Sequence, residues 1–266
     1  MPHLKSLTGL LMTAKYVRNW YVLLALYAGV LPNVAAYFRD GKKIVISKDD
    51  YLLFYEELYK RYLQAKGFTY VFTEERTIVH TPNGLQIILR PNLANNSEAY
   101  SFVFDEIFVM NVYGRPNLHG RIVIDIGASL GDTALYFLSM GASKVYGFEP
   151  NFDYYELAQE TIKLNHMEDR IYIYNELATS NKVKQLIQCH GLENVFLKID
   201  CEGCEYEFIK NLDKRTSYTI TDIVIEYHRK SRSLTKDLIK LGYQVYDKNK
   251  FFRKKQGILH ATKKSP

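Results

Sequence analysis

The second half of the sequence alternates short, nearly continuous apolar runs with amphipathic segments. The runs that we predict to be strands are Ile122–Ile126, Lys144–Phe148, Ile171–Tyr174, Val195–Ile199 and Ile223–Tyr227. Strands that are apolar on both faces and separated by helices belong to a parallel sheet covered by helices on both sides. Ligands of such sheets bind beyond the carboxyl ends of the strands, near the point where the strand order reverses. Functional residues are therefore expected at those ends.

The composition is that of a folded protein with enough chain for one large or two modest domains. The sequence has 266 residues, of which 47% are hydrophobic and 24% are charged, and it includes 22 Tyr and 14 Phe. These values exclude collagen-like, low-complexity and disordered chains. The 3 Cys residues are too few for a disulfide framework, so we expect a reducing, cytoplasmic location.

The net charge of +6 is spread unevenly along the chain. Residues 1–228 contain 23 Lys+Arg and 27 Asp+Glu, whereas residues 229–266 contain 12 and 2, a net charge of +10. The basic segment includes Arg253-Lys254-Lys255 and Lys263-Lys264. A solvated surface is the simpler interpretation, and contact with a nucleic acid through this segment is the alternative.

The first 118 residues predict a mixed α+β region. The run Asn19–Phe38 is uncharged, but Gly29 and Pro32 interrupt it, so its apolar part is too short to span a membrane. We expect residues 8–30 to form an amphipathic or buried helix, with peripheral membrane contact as the alternative. The other predicted elements are a hairpin of Val34–Phe38 and Lys43–Ser47, a helix at 49–65, strands Tyr70–Phe72, Thr77–His80 and Leu85–Leu89, and a helix at 101–113.

The first strand of the predicted sheet runs into a glycine-containing turn, Asp125-Ile-Gly-Ala-Ser-Leu-Gly-Asp132. Gly127 permits a sharp turn, and Gly131 lets a ligand approach the start of the next helix. The second strand ends in Glu149-Pro150, and an acid at this place can accept both ribose hydroxyls of a nucleoside cofactor. Ser129 stands where a dinucleotide fingerprint requires glycine. The pattern therefore predicts a nucleoside-cofactor site without that fingerprint.

Together with two later segments, this pattern resembles a known enzyme family. The later segments are Leu197-Lys-Ile-Asp-Cys-Glu-Gly-Cys-Glu205 and Ile225-Glu-Tyr-His228. In order and spacing the motifs resemble the FkbM-type family of S-adenosylmethionine-dependent methyltransferases, over about half of the chain. The sequence departs from that family at Ser129, where Asn is usual, and at two cysteines, where small apolar residues are usual.

The resemblance implies a Rossmann-like methyltransferase fold with a seven-stranded, mostly parallel sheet, preceded by an α+β N-terminal segment. It also implies S-adenosylmethionine as cofactor and O-methylation of a sugar, a glycan or another small-molecule acceptor. The cofactor contacts that it implies, with the adjoining Asp132 and Pro150 added, are Asp125, Gly127, Ala128, Gly131, Asp132, Glu149 and Pro150. On the residues alone, Asp125 either contacts the cofactor or only holds the loop. We predict an α+β substrate or cap region at 1–118 and the methyltransferase domain at 119–266.

Acidic residues and a histidine follow the fourth and fifth strands. Side chains alternate faces along a strand, so Lys198 and Asp200 point the same way, as do Glu226 and His228. The predicted catalytic residues are Asp200, His228, Glu226, Lys198 and Glu202, with Glu205 beside them. We favour base-assisted transfer, with Asp200 or His228 taking the acceptor proton.

Two alternatives to base-assisted transfer stay open. One is a divalent metal ion, Mg²⁺ or Mn²⁺, held by Asp200, Glu226 and His228; it is not favoured, and no metal ligand is assigned. The other is a structural Lys198–Glu226 ion pair with His228 in its network. The whole-protein alternatives are a nucleic-acid methyltransferase and a non-catalytic protein that binds a nucleoside cofactor.

The Cys201-x-x-Cys204 spacing is compatible with several kinds of chemistry. A structural zinc site would need a second pair of ligands, and a redox pair is a further alternative. We favour the interpretation that both cysteines are small buried residues.

Overall fold

The structure is a computed structural model that describes residues 7–47, 51–89, 104–247 and 256–263. The chain divides into two compact units, one of Met1–Gly84 with Leu89–Met110 and the other of Leu85–Ile88 with Asn111–Pro266. The basic residues Arg253-Lys254-Lys255 and Lys264 lie outside the described residues. The assignment of substrate selection to residues 1–118 stays a prediction.

The first unit contains short helices and antiparallel strand pairs. Its elements are α1 (Leu7–Tyr16), α2 (Val22–Tyr27), β1 (Asn33–Tyr37), β2 (Lys43–Ser47), α3 (Leu52–Gln64), β3 (Thr69–Phe72), β4 (Thr77–His80) and a π-helical turn at Asp105–Val109. Of the helix predicted at 101–113, the structure shows this π-helical turn within the described residues. The predicted hairpin is confirmed, because β1 and β2 pair antiparallel and bury alternate residues.

The prediction of a single helix over residues 8–30 is wrong, because two separate helices, α1 and α2, lie there. The chain leaves α1 to pair with the hairpin, where Val17 forms an antiparallel bridge with Phe38. The side chain of Asn19 then donates a hydrogen bond of 2.7 Å to the carbonyl of Ala35. These tertiary bonds satisfy the backbone where the helix would otherwise continue, so α2 begins separately. Among the described residues, no helix combines the length and apolar character needed to cross a membrane.

The second unit contains the sheet that the sequence predicts. Its strands are β6 (Ile122–Ile126), β7 (Lys144–Phe148), β8 (Ile171–Tyr174), β9 (Val195–Ile199), β10 (Ile220–Tyr227), β11 (Tyr243–Asp247) and β12 (Gly257–Lys263). They lie in the order β11-β12-β10-β9-β6-β7-β8. Neighbours are parallel except at β12, which is antiparallel to both β10 and β11. The predicted Rossmann-like methyltransferase fold with a seven-stranded, mostly parallel sheet is confirmed.

Helices connect these strands. They are α4 (Asp132–Ser139), α5 (Phe152–Leu164), α6 (Ser180–His190), α7 (Glu205–Asn211), α8 (Lys214–Thr219) and α9 (Arg232–Lys240). The short strand β5 (Gln86–Leu89) also reaches this unit, where the Gln86 and Ile88 amides donate to the side chains of Asn165 and Thr161 on α5. The strand order reverses at β6, whose neighbours are β7 and β9. The carboxyl ends of β6 and β9 therefore adjoin the crevice where ligands bind in such sheets.

One lysine of the predicted basic segment belongs to the packing of the last strand. The Nζ atom of Lys263 lies 4.0 Å from the ring centroid of Tyr243 and donates to the carbonyl of Leu241. Burial and the nearby charge of Lys214 lower the pKa of Lys263. Lys263 thus stabilises the fold, and nucleic-acid contact through the segment stays a prediction.

Candidate active site

The turn at residues 127–131, here called the glycine turn, is fixed by close backbone contacts. Gly127 and Gly131 have φ angles of 78° and 77°, in the left-handed region. The amides of Gly127 and Ala128 donate to the carbonyl of Phe148, at 3.0 and 3.1 Å. A Cβ atom on Gly127 would lie 1.7 Å from the carbonyl oxygen of Asp200. Only glycine fits there, so the turn lies directly against the loop that follows β9.

Glu149 is presented by the end of β7 with both carboxylate oxygens oriented. Its Oε2 accepts from the Ser129 amide and its Oε1 from the Asn151 amide, each at 2.9 Å. The side chain of Asn175 donates to the Glu149 and Pro150 carbonyls and fixes this corner. Burial raises the pKa of Glu149, and the two amides partly offset it. Each oxygen keeps a lone pair, so the carboxylate can accept two neighbouring hydroxyl groups.

Asp132, the first residue of α4, is a buried carboxylate with unused hydrogen-bonding capacity. Its exposure is 1%, and neither oxygen has a hydrogen-bond partner among the described residues. Burial raises its pKa to about 6, partly offset by Lys198 and by the amides at the start of the helix. A buried acid of this kind fits a cationic ligand group, which would supply the missing partner.

Asp125 and Lys198 form a buried ion pair beneath the glycine turn. They lie opposite each other on β6 and β9, with Nζ 3.0 Å from Oδ1 and exposures of 0% and 1%. The Thr133 hydroxyl donates to the other Asp125 oxygen, and Lys198 donates to the Gly127 carbonyl at 2.7 Å. Burial by itself lowers the pKa of Lys198, but Asp125 and Asp200 outweigh it and raise the value.

This pair gives Lys198 a partner that the sequence did not suggest. The register of β9 with β6 places Asp125 directly opposite the lysine, and on β10 the residue opposite it is Val224. A Lys198–Glu226 ion pair stays a prediction. Asp125 therefore has a structural role, with both oxygens engaged. Its contact with a cofactor stays a prediction.

His228 is surrounded by three carboxylates, and we call these four residues the His228 cluster. Its Nε2 lies 3.3 Å from Glu202 Oε2 and 3.9 Å from Asp200 Oδ1, and its Nδ1 lies 3.5 Å from Glu205 Oε1. The buried Glu205 also accepts from the His228 amide at 3.1 Å. The side-chain exposures are 13% for His228, 24% for Asp200 and 82% for Glu202. The structure thus brings together three of the predicted catalytic residues at a solvent-accessible edge.

Tyr113 is a member of the site that the sequence did not suggest. Its hydroxyl donates to Asp200 Oδ2 at 2.9 Å, and its ring centroid lies 5.5 Å from Lys198 Nζ. Burial raises its pKa well above the usual value, and the charges of Asp200 and Glu226 add to the effect. Glu226 thus acts on this phenol electrostatically. No motif marks Tyr113, which lies 87 residues before its partner.

Three members of the His228 cluster also have the arrangement of a cation site. Asp200, Glu202 and His228 each offer a ligand atom, and these atoms all lie within 4.8 Å of one another. Two carboxylates and an imidazole suit Mg²⁺ or Mn²⁺. The sequence suggested Asp200, Glu226 and His228 as metal ligands, and in this arrangement Glu202 takes the place of Glu226.

The interpretation of Cys201 and Cys204 as small buried residues is wrong. The two are joined by a disulfide bond, and each is only partly buried. Cys189 is exposed and has a free thiol. The spacing of the pair in sequence allowed this bond but did not select it over the other possibilities.

The strand order, the glycine turn and the acid that ends the second strand define a Rossmann-like methyltransferase fold. No protein-family model matches the sequence. Protein arginine N-methyltransferase 6 of Danio rerio is 39% identical over 57 residues, which cover 21% of this chain and 16% of that protein. Uncharacterized protein 158B of Sulfolobus islandicus rod-shaped virus 1 is 31% identical over 104 residues, 38% of this chain and 56% of that protein. The chain spans less than two thirds of either relative.

Solved structures of methyltransferases resemble the chain at low identity. Methyltransferase FkbM from Methylobacillus flagellatus KT is 17% identical with a TM-score of 0.47, covering 59% of this chain and 47% of that one. Others include methyltransferases of a ribosomal protein and of magnesium protoporphyrin IX. The likeness concerns the fold alone, and membership of the FkbM-type family stays a prediction.

Proposed function

We propose that the protein is an S-adenosylmethionine-dependent methyltransferase. The observation that carries the proposal is the orientation of Glu149 beside the glycine turn, where the amides of Ser129 and Asn151 hold its two oxygens. This is the arrangement that ribose hydroxyls require at the end of a second strand. The buried carboxylate of Asp132, directly after the turn, suits the cationic amino group of the methionyl part.

The roles of the residues follow from these contacts. S-adenosylmethionine supplies a methyl group on a sulfonium, which leaves by in-line displacement and needs a correctly placed acceptor. In the proposal, Glu149 accepts the ribose hydroxyls and Asp132 pairs with the amino group. Gly127 and Gly131 let the ligand come close to the backbone. The Asp125–Lys198 pair holds the turn from the side of the sheet.

The acceptor is proposed to lie at the His228 cluster, whose Asp200 contacts the glycine turn through its carbonyl. His228 takes the proton of the acceptor hydroxyl, and the neighbouring carboxylates stabilise the imidazolium that forms. Tyr113 fixes Asp200 by its hydrogen bond of 2.9 Å. Carboxylates at a solvent-accessible edge suit a hydroxyl-rich acceptor, so we propose O-methylation of a sugar, a glycan or another small molecule.

Calorimetry with S-adenosylmethionine tests the cofactor part of the proposal. Glu149→Gln should weaken binding at least about tenfold, because a charge-assisted hydrogen bond contributes about 1.5 kcal/mol or more. The matched control Glu168→Gln changes an exposed acid of the same unit and should leave affinity unchanged. No binding of S-adenosylmethionine, with tight binding of a nicotinamide dinucleotide instead, would refute the proposal.

Transfer of labelled methyl groups to a panel of hydroxyl acceptors tests the catalytic part. With a working acceptor, His228→Ala should lower turnover about 10²- to 10⁴-fold, and Asp200→Asn should lower it less. Both variants should keep cofactor affinity within about twofold, since neither residue is assigned to the cofactor. If a chelator abolished turnover and Mn²⁺ restored it, a metal ion rather than a general base would activate the acceptor hydroxyl. Unchanged turnover in both variants would contradict the assigned roles.

A further inference from the structure

The disulfide between Cys201 and Cys204 closes the loop that carries part of the proposed active site. Within the ring lie Glu202 and Gly203, with φ angles of 56° and 126°. A left-handed conformation is unfavourable for a non-glycine residue. The covalent link therefore restrains a shape that Glu202 does not favour by itself. We call residues 200–204 the disulfide loop.

On one side, the disulfide loop contacts the glycine turn. The Asp200 amide donates to the Ile126 carbonyl at 3.0 Å. The position of an added Cβ on Gly127 is 1.7 Å from the Asp200 carbonyl oxygen and 3.6 Å from the Cα atom of Cys201. A shift of the Cys201 backbone is therefore transmitted directly to the turn assigned to the cofactor.

On its other side, the disulfide loop positions the His228 cluster. Glu202 Oε2 lies 3.3 Å from His228 Nε2. The Gly203 amide donates to Glu205 Oε2 at 2.8 Å, while Glu205 Oε1 accepts from the His228 amide. The sulfur of Cys201 lies 3.7 Å from the same Glu205 Oε2. A reduced Cys201 thiol could donate to Glu205 and compete with the bond that holds Gly203.

The disulfide can be reached from solvent through a cavity. Cys204 lines a cavity of about 540 Å³ whose walls include the polar residues Ser180, Asn181 and Asn211. Both cysteines also pack against the apolar core cluster of the sheet, and of the two it is Cys204 that lines the cavity. A thiolate entering from the cavity therefore meets the sulfur of Cys204 first, which defines the direction of attack.

We propose that the Cys201–Cys204 disulfide is a thiol–disulfide exchange site for a dithiol reductant, and that its reduction loosens the proposed active site. A reductant thiolate attacks the Cys204 sulfur, forming a mixed disulfide, and the Cys201 sulfur leaves with the bonding electron pair and takes a proton. The second thiol of the reductant, as its thiolate, then displaces Cys204, which takes the second proton. The reductant becomes a disulfide, and two electrons reduce the protein.

The consequence for activity rests on the proposed function, whereas the exchange itself does not. Reduction frees Glu202 and Gly203 to leave the left-handed region, so Glu202 withdraws from His228 and the Asp200 backbone becomes mobile. Only the Asp200 backbone contacts the glycine turn, and ordering this one residue again on cofactor binding corresponds to about a fivefold change in affinity. We expect S-adenosylmethionine affinity about fivefold lower and turnover about tenfold lower in the reduced protein.

The first experiment measures the exchange without any ligand. The folded protein is treated with dithiothreitol and then iodoacetamide, and mass spectrometry locates the alkylated cysteines. Cys201 and Cys204 should become alkylated only after reduction, whereas Cys189 should react in both samples because it is exposed and free. Hydrogen exchange should then rise at the Asp200 and Gly203 amides. A disulfide that dithiothreitol reduces only in urea, or unchanged exchange at these amides, would overturn the proposal.

The second experiment measures S-adenosylmethionine affinity in the oxidised and reduced protein. The Cys189→Ser control should keep the fivefold difference, and a Cys201→Ser, Cys204→Ser double variant should bind like the reduced protein in both conditions. Equal affinity in the two states of the wild-type protein would overturn the coupling. If neither state binds S-adenosylmethionine, the proposed function fails, and the alkylation and hydrogen-exchange results still decide whether the exchange site exists.

Discussion

The two halves of the proposed active site are built on different principles. The half assigned to the cofactor consists of the glycine turn, Glu149, Asp132 and the Asp125–Lys198 pair, with exposures of 6% or less for these four charged residues. The half assigned to the acceptor is the His228 cluster, in which Glu202 is 82% exposed. Backbone bonds and a buried ion pair fix the first half, whereas one disulfide loop positions the second.

This difference has a physical meaning for the two proposed ligands. A buried charge with a fixed partner cannot adapt, so the cofactor half suits one ligand that is the same in every reaction cycle. The exposed carboxylate of Glu202, on a short loop, can change rotamer at little cost, so this part of the acceptor half can be altered without disturbing the core. Substitutions in the first half should therefore affect folding, and those in the second half should affect turnover.

The largest effect is expected from Gly127→Ala. The new Cβ would meet the Asp200 carbonyl at 1.7 Å, at a φ angle of 78°. The clash and the left-handed conformation together should lower the free energy of unfolding by roughly 4 to 5 kcal/mol. Urea denaturation measures this loss. Gly120→Ala is the matched control, because Gly120 has a φ of 72° and nothing within 4 Å of an added Cβ. Equal losses would show that the close approach is unimportant.

Lys198→Met comes next and tests the buried ion pair. Removing the cation leaves Asp125 charged and buried, which should cost about 4 kcal/mol of unfolding free energy. Adding Asp125→Asn removes the unpaired charge and should restore about half of the loss. Thermal denaturation of the single and double variants gives the coupling between the two residues. Additive losses would mean that the pair does not act as a unit.

In the cofactor half, the sequence indicated the position of the turn and of the acid, but it did not indicate which residues form the buried ion pair. The turn at 127–131 and the acid at 149 depend on local chain geometry, which glycine positions and strand ends specify. The partner of Lys198 depends on which neighbour of β9 stands opposite it, and this requires the register between β9 and β6. The chemistry of Lys198 was therefore visible in the sequence, but its pairing with Asp125 was not.

Asp132→Asn should raise the free energy of unfolding at neutral pH, whereas the first two variants lower it. The folded pKa of about 6 lies above the usual value of 3.8, so the folded protein binds more protons between these values. The contribution of this group to stability is fully present below about pH 3.8 and is lost as the pH rises through about 6. At pH 7 the variant should gain up to about 3 kcal/mol. Melting curves from pH 4 to 8 should show this gain shrinking as the pH falls.

The same variant should bind S-adenosylmethionine more weakly, because the proposed partner of the amino group has lost its charge. We expect affinity to fall about tenfold, the value of one charge-assisted hydrogen bond. Thr13→Ala changes a buried polar residue of the other unit and serves as a control for cofactor affinity. A stabilised variant with unchanged affinity would remove Asp132 from the cofactor site.

The acceptor half and the first unit were harder to predict because tertiary contacts determine them. Residues 17–19 contain no glycine or proline that would end a helix, yet pairing with the hairpin ends α1 before them. Tyr113 reaches Asp200 across 87 residues of sequence, and no local pattern marks such a contact. Cys201 and Cys204 are three residues apart, a spacing shared by metal sites, redox pairs and ordinary loops.

The smallest effect is expected from Tyr113→Phe, which removes one hydrogen bond from the acceptor half. Asp200 would lose the donor at 2.9 Å while keeping its backbone bond to Ile126. One such bond contributes about 1 kcal/mol, so turnover should fall about fivefold with little change in cofactor affinity. Tyr243→Phe is the matched control, since its hydroxyl donates to the carbonyls of Ser217 on α8 and of Ile220 at the start of β10. If both variants lost turnover equally, Tyr113 would act through stability alone, and the separation between the two halves would not hold.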